Sequence, residues 1–253
     1  MIDYCKNCIM PFTKPDLAKE SGGLCNACKN YIDRKTIDWG SQEKQLLELL
    51  GKFKKKKGYD CVIPVSGGKD STYQVVKILE YGMKPLCVNS TTCDLSDIGR
   101  DNLENIRKLG VDLFVFSPDS NVRAKINRIG LTQVGDIAWP EHVGIFTIPV
   151  RASVLFNVPL IVWGENSQHE YGGPAHGVES KTLDRRWLEE FGGLLGLRVT
   201  DLVGQEGLEE RDLLPYQYPS DEELKRVGTT GLFLGYFLPW DGITNALIAS
   251  SHG

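Results

Sequence analysis

Long apolar segments are missing from this chain of 253 residues. No run approaches the roughly 20 apolar residues that a membrane-spanning helix needs. The opening sequence MIDYCKNCIMPF also lacks the basic and apolar regions of a signal peptide. A basic excess is absent as well, since 29 Lys and Arg stand against 33 Asp and Glu, for a net charge of −4. We therefore expect a cytoplasmic protein without a membrane partner, and the charge argues against a nucleic-acid partner.

The rest of the composition is that of a soluble globular protein, with 41% hydrophobic and 25% charged residues. The length allows one α/β domain of ordinary size and a small appendage. One basic run, Lys52 to Lys57 (KFKKKK), is predicted to be the solvated last turn of a helix, where cations suit the helix dipole. Contact with the phosphates of a substrate or of RNA is the alternative interpretation.

Four of the seven cysteines form two Cys-x-x-Cys pairs separated by sixteen residues: Cys5, Cys8, Cys25 and Cys28. Residues 1–35 have few periodic apolar positions, so a metal ion held by four thiolates would replace the missing core. Four cysteines leave no open coordination position for water, and this indicates a structural zinc ion rather than a catalytic one. A redox-active Cys-x-x-Cys pair and an iron–sulfur cluster are the alternatives.

Strands and helices are predicted to alternate after this four-cysteine module. The predicted strands are 60–65, 84–90, 111–116 and 159–163, and the predicted helices are 41–57, 70–81, 96–109, 121–129, 142–156 and 221–226. Pro149 is expected at a kink or in a first turn. Strands this apolar have no solvent-exposed face. This indicates a parallel sheet with helices on both faces and a Rossmann-like α/β fold.

The stretch Ser66–Ser71 (SGGKDS) lies between the first predicted strand and the following helix. It is not a Walker A loop, because that motif needs glycine where Ile63 stands and a hydroxyl residue where Asp70 follows Lys69. The Gly-x-Gly-x-x-Gly pattern of dinucleotide-binding proteins and the Gly-x-Ser-x-Gly pattern of hydrolases are also absent from the sequence. A compact turn of another kind, between a strand and a helix N-terminus, remains.

The residue types of this turn suit an anion. The two glycines let backbone N–H groups approach a ligand without a Cβ in the way, and Ser66 and Ser71 supply hydroxyl donors. Lys69 adds positive charge, and the helix that follows presents its positive end. The Asp70 carboxylate would repel phosphate unless it caps the helix or contacts a magnesium ion. The turn therefore predicts a pyrophosphate site.

The turn resembles the PP-loop of the ATP pyrophosphatase superfamily, whose members split ATP between the α and β phosphates and adenylate a substrate oxygen. The resemblance implies an adenine nucleotide alpha hydrolase-like sheet that binds ATP and Mg²⁺ at the carboxyl ends of its strands. The implied ATP-binding residues are Ser66, Gly67, Gly68, Lys69, Asp70, Ser71, Val88, Asn89, Ser90 and Gly164. The implied catalytic residues are Lys69, Asp70 and Glu165, and an ordinary loop carboxylate is the alternative for Glu165.

The N-terminus carries a second, narrower resemblance. CKNCIMP at 5–11 and GLCNAC at 23–28, with GEN at 164–166 and GYFLPWD at 235–241, resemble the bacterial N-acetyl sugar amidotransferases. Those enzymes serve surface-polysaccharide (lipopolysaccharide O-antigen) and nonulosonic-acid biosynthesis. They use ATP and ammonia to convert the acetamido group of a nucleotide-linked sugar into an acetamidino group. The resemblance implies a separate glutaminase subunit, since Cys61, Cys87 and Cys93 lack the surroundings of a glutaminase nucleophile.

Several residues are candidates for contact with the sugar or its diphosphate: Asn166, His169, Arg151, Arg185 and Arg186. Arginine can bind carboxylate or phosphate through two parallel hydrogen bonds. His169 follows the fourth predicted strand closely enough to serve as a proton shuttle. An ordinary surface or loop position is an equally good interpretation for each arginine and for His169.

Two other functions stay open. In tRNA thiolation, which also uses a PP-loop and a zinc module, Cys93 would carry the sulfur; the acidic balance and the single short basic run count against this alternative. A non-catalytic scaffold subunit that binds nucleotide is the third possibility, and the intact SGGKDS turn counts against it.

The sequence divides into three parts. Residues 1–35 are assigned to the four-cysteine module, 36–58 to a linker helix, and 59–253 to the PP-loop domain with its Gly- and aromatic-rich C-terminal region. Members of the amidotransferase family are expected to extend substantially beyond residue 253. We therefore expect a truncated or short relative, in which a part of the sugar site would be missing.

Overall fold

The structure, a computed structural model, describes residues 2–14, 17–91, 95–165, 170, 182–183 and 194–253. Its strands are β1 Cys61–Pro64, β2 Pro85–Ser90, β3 Asp112–Phe116, β4 Leu160–Trp163, β5 Thr182–Leu183 and β6 Thr230–Phe233. Its helices, numbered over the described residues, are α1 Asn26–Asp33, α2 Trp39–Gly51, α3 Lys69–Glu80, α4 Asp97–Lys108, α5 Ser120–Val134, α6 Trp139–Leu155, α7 Glu210–Leu213, α8 Asp221–Val227, α9 Leu234–Phe237 and α10 Gly242–Ser250.

The strands form one sheet in the order β3-β2-β1-β4-β6-β5. Five strands are parallel, and the two-residue β5 runs antiparallel to β6 at one edge. The chain builds outward from β1 to β3 and then returns to β4 on the other side of β1, so the strand order reverses between β1 and β4. This topology confirms the predicted Rossmann-like α/β fold.

Alternate residues of the central strands pack on opposite sides of the sheet, and both sides are buried. Cys61 and Ile63 of β1 join a core that is completed by side chains of α2, α3 and α4. Val62, between them, packs on the other side with Ile148 and Ala152 of α6. Because both faces are covered, the strands are almost continuously apolar, as the sequence predicted.

Side-chain caps fix the start of two helices. The Ser96 hydroxyl accepts a hydrogen bond from the Gly99 N–H at 3.1 Å and caps α4. The Asp241 carboxylate accepts from the N–H groups of Ile243 and Thr244 at 3.1 and 2.8 Å and caps α10. Since α10 packs along α3, this cap sets the position of the C-terminal helix beside the SGGKDS turn.

Two details of the predicted helices differ in the structure: the proline in the first turn of α6 and the end of α2. Helix α6 begins at Trp139, and Pro140, not Pro149, occupies its first turn, where a proline costs no helical hydrogen bond. Pro149 lies inside the helix and is buried. The basic run follows α2 instead of ending it, because that helix stops at Gly51. The backbone of the basic run is held by a hydrogen bond from the Lys55 N–H to an Asp60 carboxylate oxygen at 2.6 Å.

The segment assigned as a linker helix contributes to the main core. Helix α2 buries Leu46 and Leu50, which are 0% and 1% exposed, in the core on the α3 side of the sheet. The Gly- and aromatic-rich end also joins the sheet, since it forms strand β6 and the short helix α9. The sequence did not predict that strand. Within the described residues, no helix is long and apolar enough to cross a membrane.

Replacing Leu46 with alanine should lower the free energy of unfolding by about 2–5 kcal/mol, because it leaves a cavity in the shared core. Leu47→Ala in the same helix is the matched control, since Leu47 is 45% exposed and should change stability by at most about 0.5 kcal/mol. Urea unfolding followed by circular dichroism measures both. Equal effects of the two substitutions would contradict the packing of α2 on the sheet.

Candidate functional site

The carboxyl ends of β1, β2, β4 and β6 open onto a cavity of about 330 Å³. It lies where the strand order reverses, which is the position at which open α/β sheets bind ligands. The cavity brings together eight residues that the sequence predicted for the site: Ser66, Asp70, Ser71, Val88, Asn89, Ser90, Gly164 and Glu165. Segments that are up to about a hundred positions apart in the sequence therefore meet at one sheet edge.

One hydroxyl closes the turn after β1. The Ser71 Oγ accepts hydrogen bonds from the N–H groups of Ser66 and Gly67 at 3.3 and 3.1 Å. It also donates to the Gly68 carbonyl oxygen at 3.0 Å. A hydroxyl has one donor and two acceptor sites, so these three bonds use its whole capacity. Ser71 thus holds the turn in shape, in addition to lining the cavity.

Helix α3 begins at Lys69, directly after the turn. Its first hydrogen bond runs from the Thr72 N–H to the Gly68 carbonyl oxygen at 3.0 Å, so the N–H groups of residues 69–71 have no acceptor within the helix. The positive end of the helix dipole and the Lys69 ammonium act at the same place. The local structure is therefore suited to an anion.

Asp70 does not cap this helix, so the magnesium contact is the alternative that stays a prediction for its carboxylate. The N-cap is Gly68, and Asp70 is the second residue of α3. One Asp70 carboxylate oxygen pairs with Lys69 Nζ at 2.5 Å. The other accepts a hydrogen bond at 2.8 Å from the Asn245 amide of α10, whose side chain is 0% exposed. A residue from the end of the chain therefore fixes the Asp70 carboxylate at the cavity.

The walls of the cavity are set by close backbone approaches. The buried Asn89 amide donates to the Val65 carbonyl oxygen at 2.7 Å and ties the end of β2 to the end of β1. A Cβ on Gly144 of α6 would lie 2.9 Å from Ser90 Oγ, so glycine lets α6 lie against the end of β2. A larger residue at Gly144 would have to push this helix away from the cavity.

An aromatic wall faces the polar turn. Phe146 and Trp163 form a tilted ring pair with centroids 5.4 Å apart, and both line the cavity with Phe233. Trp163 is 7% exposed, and its buried Nε1 has no hydrogen-bond partner among the described residues. A buried donor of this kind needs an acceptor, which a bound ligand can supply. The cavity thus has aromatic rings on one side and the polar SGGKDS turn, which is suited to an anion, on the other.

One described residue of the predicted substrate site, Arg151, does not line the first cavity. Arg151 borders a second cavity of about 360 Å³ with Phe114 and Phe116 of β3, and its guanidinium donates to the Gln217 carbonyl oxygen at 2.8 Å. Asn166, His169, Arg185 and Arg186 are outside the described residues, as is Cys93. Gly67, Gly68 and Lys69 form the turn beside the first cavity.

Several residues of the site were missed at the sequence level, among them Gln74, Phe146, Trp163, Phe233 and Asn245. Gln74 lines the cavity from α3 and donates to the Val162 carbonyl oxygen of β4. Asn245 lies 175 positions from Asp70, its hydrogen-bond partner. No local pattern marks either polar residue, because each owes its role to helix packing across the sheet edge.

The four cysteines of the N-terminal pairs converge, with their four Sγ atoms within 4.8 Å of one another. The Cys5–Cys28 and Cys8–Cys25 sulfur atoms are 3.8 and 3.7 Å apart. A tetrahedral zinc site with Zn–S bonds of about 2.3 Å has sulfur–sulfur distances of about 3.8 Å. A disulfide needs about 2.05 Å. The spacing therefore fits a four-thiolate metal site and excludes disulfides between these pairs.

Backbone and side-chain donors surround the sulfur atoms. Cys5 Sγ accepts from the Cys25 N–H at 3.2 Å, and Cys28 Sγ accepts from the Asn7 amide at 3.3 Å. Hydrogen bonds from the backbone N–H groups of Cys8, Asn7 and Cys25 lower the pKa of the Cys5 thiol to about 6. Burial raises the pKa of Cys25 to about 12. The N–H donors therefore favour the thiolate form of Cys5, which is the form that binds a metal ion, whereas burial opposes it at Cys25.

The fold and the site define a class: a doubly wound α/β protein with a compact turn, suited to an anion, at the reversal of its strand order. No protein-family model matches the chain, and no curated protein matches it. NMN synthetase from Francisella tularensis is a similar solved structure, with 15% identity and a TM-score of 0.39 over 76% of this chain and 92% of that chain.

A second similar structure is an NH3-dependent NAD synthetase from Campylobacter jejuni subsp. jejuni NCTC 11168 in complex with the nitrate ion. Its identity is 14% and its TM-score 0.41, over 76% of this chain and 95% of that chain. At these identities and scores neither protein assigns an activity to this chain. The class rests instead on the strand order, the packing of both sheet faces and the geometry of the turn.

Gly67→Ala should abolish measurable pyrophosphate binding and lower stability by about 1–3 kcal/mol. Gly67 has φ +84°, and a Cβ would lie 3.1 Å from Asn102 Cβ and from the Leu103 backbone nitrogen of α4. Gly228→Ala is the matched control, because it has φ +72° with nothing within 4 Å and lies at the end of α8. Calorimetric titration with pyrophosphate should show unchanged binding in the control. Normal binding by the Gly67→Ala variant would contradict the assigned anion site.

The purified chain should carry about one equivalent of zinc, as expected for a closed four-thiolate site. Cys28→Ser should lower the metal content severalfold, because three thiolates and a hydroxyl bind zinc more weakly. Cys87→Ala removes a fully buried core cysteine and should leave the metal content unchanged. Elemental analysis by plasma mass spectrometry measures all three proteins. Metal loss in both variants, or in neither, would argue against this site.

Proposed function

We propose that this chain is an ATP-dependent, AMP-forming enzyme of the PP-loop type. One observation carries the proposal: the SGGKDS turn lies at the reversal of strand order and forms one wall of the 330 Å³ cavity. The turn and the start of α3 offer donors for the phosphates of ATP. The aromatic wall offers a flat apolar surface for adenine.

Within that class, we infer an amidotransferase that acts on a nucleotide-linked N-acetyl sugar. The support is the N-terminal cysteine pattern together with GEN at 164–166 and GYFLPWD at 235–241. The amide oxygen of the N-acetyl group attacks the α phosphorus of ATP, and the bond to the β phosphate breaks, so that pyrophosphate leaves. Ammonia adds to the resulting imidate carbon. AMP then leaves with the former amide oxygen, a proton passes to solvent, and the acetamidino group remains.

The polar residues of the turn have separate tasks in this proposal. Lys69 and the N–H groups at the start of α3 bind the phosphates and stabilise the charge that develops on pyrophosphate. Asp70 and Glu165, which border the same cavity, would hold Mg²⁺, which neutralises phosphate charge when bound. Asn245 keeps one Asp70 oxygen in place through its 2.8 Å hydrogen bond.

We further propose that the acceptor runs from the ATP cavity along α6 to Arg151. Ser90 and Thr91 line both the first cavity and a small neighbouring one, which shares Phe116 and Ile148 with the second cavity beside Arg151. A sugar bound over Ser90 can therefore extend its diphosphate towards this guanidinium, which suits phosphate. The remaining proposed acceptor contacts are Asn166, His169, Arg185 and Arg186.

A glutaminase subunit is the proposed source of ammonia. Cys61 and Cys87 are both 0% exposed in the sheet core, and burial raises the pKa of each thiol. Neither can serve as a glutaminase nucleophile or carry persulfide sulfur to a tRNA base, because both roles need an accessible thiolate. Cys93, the sulfur carrier in the thiolation alternative, lies outside the described residues. We prefer amidation because of the N-terminal cysteine pattern and the acidic charge balance.

The test supplies ATP, Mg²⁺ and ammonium with a panel of nucleotide-linked N-acetyl sugars. We expect AMP and pyrophosphate only with the correct sugar, whose mass changes as O is exchanged for NH. Acetyl groups labelled with ¹⁸O should transfer the label to AMP. Lys69→Ala should reduce the rate of AMP formation about 100-fold.

Lys77→Ala is the matched control, since Lys77 is on the same helix and pairs with Glu80 near the surface; it should keep the activity. If AMP forms only with tRNA and a sulfur donor, thiolation replaces amidation as the proposed function. ATP binding without AMP under any of these conditions would favour a nucleotide-binding scaffold.

A further inference from the structure

Arg34 is a buried cation at the end of the four-cysteine module. It begins the short 3-10 turn Arg34–Thr36 that links α1, which contains Cys28, to α2. Its side chain is 9% exposed and forms an ion pair with Glu170, whose side chain is 23% exposed. The two residues are 136 positions apart. The ion pair therefore joins the N-terminal module to the segment that follows β4.

The Arg34 guanidinium is buried, but one of its nitrogen atoms has no hydrogen-bond partner among the described residues. Its centre lies 5.6 Å from the centroid of the Trp39 ring, which covers one side of it. Arg34 Nη1 binds Glu170, whereas Nη2 is buried and has no hydrogen-bond partner among the described residues. An arginine buried this deeply is stable only if carboxylates around it balance its charge.

Those carboxylates belong to the candidate active site. Burial raises the pKa of the Glu170 carboxyl, the charge of Arg34 opposes the rise, and the nearby Glu165 and Asp70 carboxylates increase it. The charges of Arg34 and of the two acidic residues that border the ATP cavity thus all act on Glu170. Without the positive charge of Arg34, three neighbouring carboxylates would repel one another at that place.

Arg34 is also linked to the SGGKDS turn through helix α10. The backbone N–H of Thr244 lowers the pKa of Asp241, and the charge of Arg34 acts in the same direction. Asp241 caps α10, and Asn245 in the first turns of that helix donates to Asp70. Both the carboxylate neighbours of Asp70 and its hydrogen-bond donor thus lie in the electrostatic surroundings of Arg34.

We propose that Arg34 is a positioning residue for the ATP site: the four-cysteine module, through the Arg34–Glu170 ion pair, holds Asp70 and Glu165 in their binding arrangement. The inference rests on the proposed ATP-binding function. It gives the module a task beyond its own folding, because metal binding fixes α1 and hence the position from which Arg34 reaches Glu170. Loss of the metal ion and loss of the Arg34 charge should then damage the same property, the affinity for Mg²⁺ and ATP.

The test measures binding of α,β-methylene ATP with Mg²⁺ by calorimetry, which needs no acceptor sugar. Arg34→Gln should weaken binding about 10- to 100-fold, the effect of losing a residue that orients metal ligands. Zinc content should stay near the wild-type value, whereas Tm should fall, because a buried ion pair that loses one partner destabilises the fold. Arg34→Lys keeps the positive charge but loses the paired N–H donors of the planar guanidinium. It should bind the analogue only about threefold more weakly than wild type. Lys29→Gln is the matched control, because Lys29 is a cation of the same module in an exposed ion pair with Asp33.

A double substitution separates charge repulsion from general disruption. If the Glu170 charge that Arg34 no longer balances causes the loss, Arg34→Gln with Glu170→Gln should bind more tightly than Arg34→Gln alone. Unchanged affinity in Arg34→Gln would overturn the inference. If that variant does not fold, unchanged affinity in Glu170→Gln, which breaks the same ion pair, would overturn it instead. Failure of the wild-type chain to bind the ATP analogue would reject the proposed function itself, whereas binding without sugar-dependent AMP would reject only the amidation step.

Discussion

The site depends on the three hydrogen bonds of one hydroxyl group. Ser71 Oγ accepts from two N–H groups of the turn and donates to the Gly68 carbonyl oxygen, which ties the loop after β1 to the first turn of α3. The conformation that results requires a positive φ at Gly67 and leaves α4 in close contact with that glycine. The anion-binding end of α3, the position of Lys69 and the near wall of the cavity all follow from this arrangement.

The charges around the turn are the second constraint. A phosphate site must concentrate positive potential, yet Asp70, Glu165 and Glu170 bring three carboxylates to the same place. Lys69 balances one of them from the turn, and Arg34 balances another from the four-cysteine module. The small module, whose own buried cluster consists largely of its cysteines, is thereby connected to the chemistry of the larger domain by charge as well as by the chain.

Sequence patterns were informative where a local rule applies. Apolar runs bounded by glycine, proline and polar residues located four strands of the sheet and most helices to within a few residues, because burial on both faces leaves a continuous apolar signal. The patterns failed at β6, where a glycine-rich apolar stretch has no helical or strand period, and at α2, where an apolar stripe does not reveal which core it will join. They also left two positions open for Pro149, and the structure excludes the first-turn position, since Pro140 supplies the first turn of α6.

For the site, the sequence by itself determined the turn and the four thiolates, because both are short motifs whose residue types already carry the chemistry. Only the tertiary structure decided which distant residues complete them. The Asn245–Asp70 hydrogen bond and the Arg34–Glu170 ion pair join segments that are 175 and 136 positions apart in the chain. Such contacts arise from the way helices pack across a parallel sheet, and a packing direction leaves no local signature in the sequence.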